Sequence, residues 1–216
     1  MLREIISNEI FTVLLMLCLA LVATTKILFT KRFDDFTNLL SNFRYLKVYS
    51  RDLKVIDGFN ILLSINLFIS ASIFCVFIYQ SFVGEILDIP TFLLKTIIGI
   101  AIIILAKTSV EHLLGNLFNI DTTMDFYVFQ KMSYKNFIGI LLIPINFILL
   151  FSLAPTPIIL QILLIVFVLI NCISIITSYK TYQSLIKANL FYFILYLCTL
   201  EISPYLVLYK LFIDYS

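Results

Sequence analysis

Three groups of residues carry side chains and spacings that can do chemistry. The first lies in the closing run LFYFILYLCTLEISPYLVLYKLFI, residues 190–213, where Glu201 stands near the middle of an apolar segment and Pro204 follows within one turn. A carboxylate at the centre of a hydrocarbon span costs roughly 2.5 to 3.5 kcal/mol on insertion scales, so it normally faces protein, water or a partner. Pro204 lacks a backbone N–H and crowds the carbonyl of Leu200, which frees an acceptor close to that acid. On an ideal helix Tyr205 and Tyr209 lie about 40° and 80° around from Glu201, and Cys198 shares the same broad face. Cys198, Glu201, Pro204 and Tyr205 are therefore a candidate intramembrane polar site. It suits a hydrogen-bonded tie between helices, the handling of an ion or proton, or the binding of a lipid or a partner's helix.

The second group is Lys107, Glu111 and His112, which interrupt the third apolar run. Lys107 and Glu111 are four residues apart, so they share a helix face and can neutralise one another. Two readings stand side by side. In one, the helix leaves the membrane near Lys107 and its extension docks on the bundle. In the other, these three residues project into a polar cavity. A lone histidine is a weak signal for either. The third group, Asp121 and Asp125, falls in a polar stretch without histidines and matches no acid pair of a membrane hydrolase. The sequence contains no G-x-S-x-G, H-E-x-x-H or G-x-x-x-x-G-K. Cys18, Cys75, Cys172 and Cys198 are far apart within apolar segments and read as small buried hydrophobes. We therefore expect no enzyme, no metal and no cofactor.

The elements that must position these groups follow from composition. Of 216 residues, 62% are hydrophobic and 13% charged, with a mean hydropathy of +1.07, more apolar surface than a soluble domain of this size can hide. The chain is expected to be all-α, a single integral membrane domain over residues 1–216. It should form a polytopic bundle with about six transmembrane helices, near 10–30, 59–83, 91–112, 136–154, 158–178 and 190–213. Glu4 and Glu9 argue against a cleaved signal at the first of these. Asn60, Ser64, Asn66, Ser70 and Ser72 in the second span suit close helix packing. Pro144 suggests a kink in the fourth. The turn Pro155-Thr156-Pro157 makes the fourth and fifth spans antiparallel neighbours.

Between the first two spans, Phe33, Phe36, Leu40, Phe43 and Leu46 recur at helical spacing. They predict an amphipathic helix over about 33–48, either in the membrane interface or packed on the helix ends. The polar run 121–135 reads as a connection. Alternating sides along six spans places twelve of the fifteen Lys and Arg with the first, third and fifth loops, leaving Arg3, Lys95 and Lys210 opposite. That excess makes those loops cytoplasmic and puts both termini outside. The two halves of the chain do not repeat one another.

The closing span, through Tyr196-Leu197-Cys198, Leu200-Glu201-Ile202, Pro204 and Tyr209-Lys210, resembles the signature of an integral membrane family known mainly from Bacteroidetes and classed as a domain of unknown function. Ser41-Asn42-Phe43-Arg44-Tyr45-Leu46 is similar to that family as well. The resemblance implies a bacterial inner-membrane protein with no established activity. The expected partners are the lipid bilayer and other membrane-protein subunits, not nucleic acid: a net charge of +2 is too small for that. The reading favours a non-enzymatic subunit or assembly factor of an envelope complex, with a small ion- or proton-coupled transporter using Glu201 as the alternative.

Overall fold

The computed structural model describes residues 5–39, 44–49, 57–117, 121–153 and 155–181. Among these the chain is helical and contains no strand: α1 Ile5–Leu28, α2 Thr30–Thr37, α3 Arg44–Tyr49, α4 Gly58–Phe82, α5 Ile89–Leu117, α6 Asp121–Phe151 and α7 Pro157–Thr181. Four apolar stretches are long enough to cross a membrane, Glu9–Leu28, Gly58–Phe82, Ile89–Leu117 and Met124–Phe151, and α7 adds a shorter one over Pro157–Asn171. The all-α membrane bundle read from composition is thus the observed class. The expected sixth span, 190–213, lies outside the described residues.

Helix α4 is the hub, packing on α1, α5, α6 and α7. Its apolar character is nearly uniform around the helix, as expected of a segment surrounded by others. The polar points that the sequence places along it, Asn60, Ser64, Asn66, Ser70 and Ser72, are all buried. Two of them lie where it meets α6. The Ser64 hydroxyl, which donates within its own helix, is 3.4 Å from Asn136 Oδ1, and the Ser70 hydroxyl donates to the Gly139 carbonyl at 3.1 Å. Asn146 Nδ2 then donates to the Ser70 carbonyl at 2.8 Å. Both sequences ascend together across these contacts, so α4 and α6 run parallel.

Interhelical hydrogen bonds in bilayers average only about 0.6 kcal/mol, so the close approach itself must carry much of the packing. Gly139 permits it: a Cβ there would meet Leu67 Cα at 2.9 Å. Helix α1 runs the opposite way along α4, with Phe11 beside Phe77 and Phe29 edge-on to Phe59. Helix α5 also opposes α4, with Tyr79 and Phe92 rings 4.9 Å apart near its start. Asp88 sits just before that start, its carboxylate accepting from the Thr91 backbone N–H, and Pro90 occupies the first turn. Pro157 opens α7 in the same manner after a short connection from α6, and Phe167 meets Phe74 edge-on.

Two expectations change. The amphipathic helix over 33–48 is not continuous: α2 stops at Thr37 and α3 begins at Arg44. The Thr37 hydroxyl and Asn38 amide both donate to the Asp34 carbonyl, competing with the next helical turn. Of the predicted apolar face, Phe33, Phe36 and Leu46 are buried against the bundle, together with Leu39 and Tyr45, whereas Leu40 and Phe43 lie outside the described residues. Second, the run 121–135 is helix, forming the first half of α6. Its Met124, Val128 and aromatic neighbours are buried against the bundle, which a solvated connection would not allow.

Candidate functional site

The antiparallel arrangement of α5 with α4 and α6 brings three helix termini together at one end of the bundle. These are the start of α4, the end of α5 and the start of α6. The short helices α2 and α3 pack at this same end. Phe36 is the centre of their contact, 5.3 Å from the Tyr45 ring and 5.5 Å from Phe59, while Tyr45 stacks on Phe129 of α6 at 5.8 Å. Into this aromatic group Arg32 projects its guanidinium, 4.6 Å from the Phe59 ring and 5.2 Å from that of Tyr49. Arg32 also pairs with Asp57, the residue immediately before α4. Asp57 occupies the N-cap position yet makes no capping bond there, its carboxylate being directed to Arg32. Burial pushes the Tyr45 phenol above its ordinary value, and the adjacent positive charge of Arg32 offsets part of that.

Glu111, read as the partner of Lys107, is 1% exposed, and its carboxylate accepts from Lys131 across the α5–α6 contact. The Lys131 ammonium also lies 5.4 Å from the centre of the Tyr127 ring. Lys107 is half-buried one turn earlier on α5. Adjacent to this pair, His112 Nδ1 donates to Asp125 Oδ1 at 2.9 Å, both side chains about one-third exposed. The histidine's second nitrogen is thereby left for other chemistry, as acceptor or as donor.

His112 and Asp125 stand on the wall of a cavity of about 780 Å³ between α4, α5 and α6. That volume is within the range of sites for small organic ligands. Asn60, Ser64, Thr108 and Asn116 contribute further polar surface, whereas Phe68, Leu105 and Val128 contribute apolar surface. Among the described residues no group of three or more His, Cys, Asp and Glu comes together as a metal-binding set. The arrangement can present a carboxylate and an imidazole to a polar group while enclosing an apolar one.

Of the sequence candidates, then, Glu111 and His112 are both at this end of the bundle, in different roles: one in a buried pair, the other on the cavity wall. Cys198, Glu201, Pro204 and Tyr205 lie outside the described residues. Lys131 and Asp125, which complete the two pairs, fall in the run whose sequence reads as a connection. The signal that would have found them is the four-residue spacing of Met124, Val128 and Met132, which continues the apolar face of α6 toward its start.

The family described as Domain of unknown function (DUF4271) matches residues 11–212. The chain belongs to that family. The match takes in α1 from Phe11 onward and all of α2 to α7, and agrees with the expectation of an uncharacterised family. No curated protein and no solved structure matches the chain.

Proposed function

We propose that this protein is a non-enzymatic subunit or assembly factor of a complex in a bacterial inner membrane, with its basic loops cytoplasmic and both termini outside. The observation that supports this most is the contrast between its charges and its surface. Arg32 with Asp57, and Glu111 with Lys131, join separate elements to each other. Those charges hold the bundle together. By contrast, no residue of α5 between Leu93 and Glu111 is buried, and Ile98, Ile102 and Ile103 are exposed. An apolar helix whose outward side is this exposed suits contact with another membrane protein.

Purification in a gentle detergent tests the proposal. A stoichiometric envelope protein should accompany the chain and be released by Ile102→Lys, with the chain itself still folded. A monomer without companions, from cells in which the protein is functional, overturns it.

The second reading, ion- or proton-coupled transport, draws support from the His112–Asp125 pair on a cavity wall and from the acid at Glu201 in the sequence. Glu201→Gln separates the two. A hydrogen-bonding tie tolerates the amide, whereas coupled transport is lost while expression is intact.

A further inference from the structure

We infer that the cavity between α4, α5 and α6 holds one membrane lipid, entered from the side between α4 and α5, whose head carries an ammonium group and no net negative charge. The first support is the order of its walls with depth. Along α5 the lining passes from Asn116 and His112 at the helix end to Leu105, about 16 Å inward from Asn116 at the rise of an α-helix. Along α4 it passes from Asn60 to Phe68, about 12 Å deeper. Both walls turn from polar to apolar in the same direction.

Between these layers the wall hydroxyls are already satisfied. Ser64 donates to the Asn60 carbonyl at 2.6 Å, Thr108 to the Ile104 carbonyl and Ser109 to the Leu105 carbonyl, both at 2.9 Å. An acyl chain can therefore pass them without stranding a donor.

The second support is the side opening. Ile61, Ile65 and Leu105 line the cavity yet are 45%, 39% and 59% exposed, so an apolar rim faces outward between α4 and α5. A water-soluble ligand needs no such rim, whereas a lipid sliding in from the bilayer keeps its tail in apolar surroundings throughout.

The third support is charge. Asp125, whose carboxylate also accepts from His112, supplies the acidic group at the polar end, and among the described residues no Lys or Arg lines the cavity. An ammonium head pairs with that carboxylate. A head of net negative charge meets repulsion from it instead.

The chain contains no tryptophan, which gives a clean reporter. Phe68→Trp places one indole on the cavity's deep wall, and Ile165→Trp places one on the exposed flank of α7 as the bulk-lipid control. The full chain is reconstituted in bilayers containing tail-brominated phosphatidylethanolamine or tail-brominated phosphatidylglycerol, and indole quenching is measured.

The Phe68→Trp indole should favour the ethanolamine lipid by about three- to fivefold, the scale of one partly exposed ion pair. The Ile165→Trp indole should not discriminate, and adding Asp125→Asn to Phe68→Trp should abolish the preference. Met132→Trp, on the half-buried α6 wall of the cavity, serves as the reporter should Phe68→Trp fail to fold. Equal quenching by both lipids at the cavity reporter overturns the inference. Absence of quenching by either lipid overturns it as well, because protein or water then occupies the space.

Discussion

At the scale of single residues the clearest test is the buried Glu111–Lys131 pair. Removing one partner of such a pair strands the other charge and typically costs about 3 to 5 kcal/mol, whereas replacing both with apolar residues of similar size is often neutral. Glu111→Leu alone should therefore sharply lower the thermal midpoint in detergent, and Glu111→Leu with Lys131→Met should restore most of it. If the double variant is no better than the single one, the pair is not the dominant contact of these residues. Tyr45 gives a pH test outside the spans. Its phenol is raised in the folded chain, so the protonated form is favoured by folding. The corresponding stability is complete below the unfolded tyrosine value, about 10, and is lost as pH rises through the folded one. Ultraviolet titration of the folded protein should show a late phenolate step that Tyr45→Phe removes, and that variant should lose less stability on going alkaline.

At the scale of elements, the α4–α6 contact depends on the absence of a side chain at Gly139. Gly139→Ala places a Cβ against the backbone of Leu67, an atom that cannot swing aside, and should cost about 1 to 3 kcal/mol as an overpacked contact. Gly99 in α5 has open space around the same position, so Gly99→Ala should be neutral or slightly stabilising through helix propensity. Resistance to unfolding in mixed micelles compares the two. The comparison also indicates what can be read before folding is known. Both glycines sit in apolar helices and look alike in sequence, since the difference lies in which helix passes nearby. The existence of α1, α4, α5 and α7 followed from long apolar runs, where every residue contributes to one signal. The break after Thr37 did not, because it depends on Thr37 and Asn38 both turning back to one carbonyl. Nor did the early start of α6: Asp125 and Lys131 look solvated until His112 and Glu111 are known to face them. Glu111 could be singled out as unusual for its setting, but its partner on α6 is a tertiary fact.

At the scale of the whole molecule, the opposed directions of neighbouring helices collect α2, α3, the cavity and both α5–α6 pairs at one end. The described part of the first basic stretch, with Lys31, Arg32, Arg44 and Lys47, lies at that end, and the proposed topology makes it cytoplasmic. Single cysteines in a background with the native four replaced by serine test this. Asp34→Cys, at the end bearing α2, should react with a membrane-impermeant maleimide only after the inner membrane is opened. Glu85→Cys, in the exposed connection between α4 and α5, should react in intact spheroplasts. The reverse pattern would invert the protein and place the cavity in the outer leaflet.

Helix α5 touches the bundle firmly near its two extremities, through Phe92 and Leu93 at the start and Glu111 at the finish, with no buried side chain between. Between those points half-buried Thr96, Ile100, Ile104 and Thr108 recur every fourth residue, while Ile98, Ile102 and Leu105 face outward. The helix therefore leans on its neighbours along one narrow stripe and gives the rest of its girth to the surroundings, so substitutions on that stripe should disturb the fold and those off it should not.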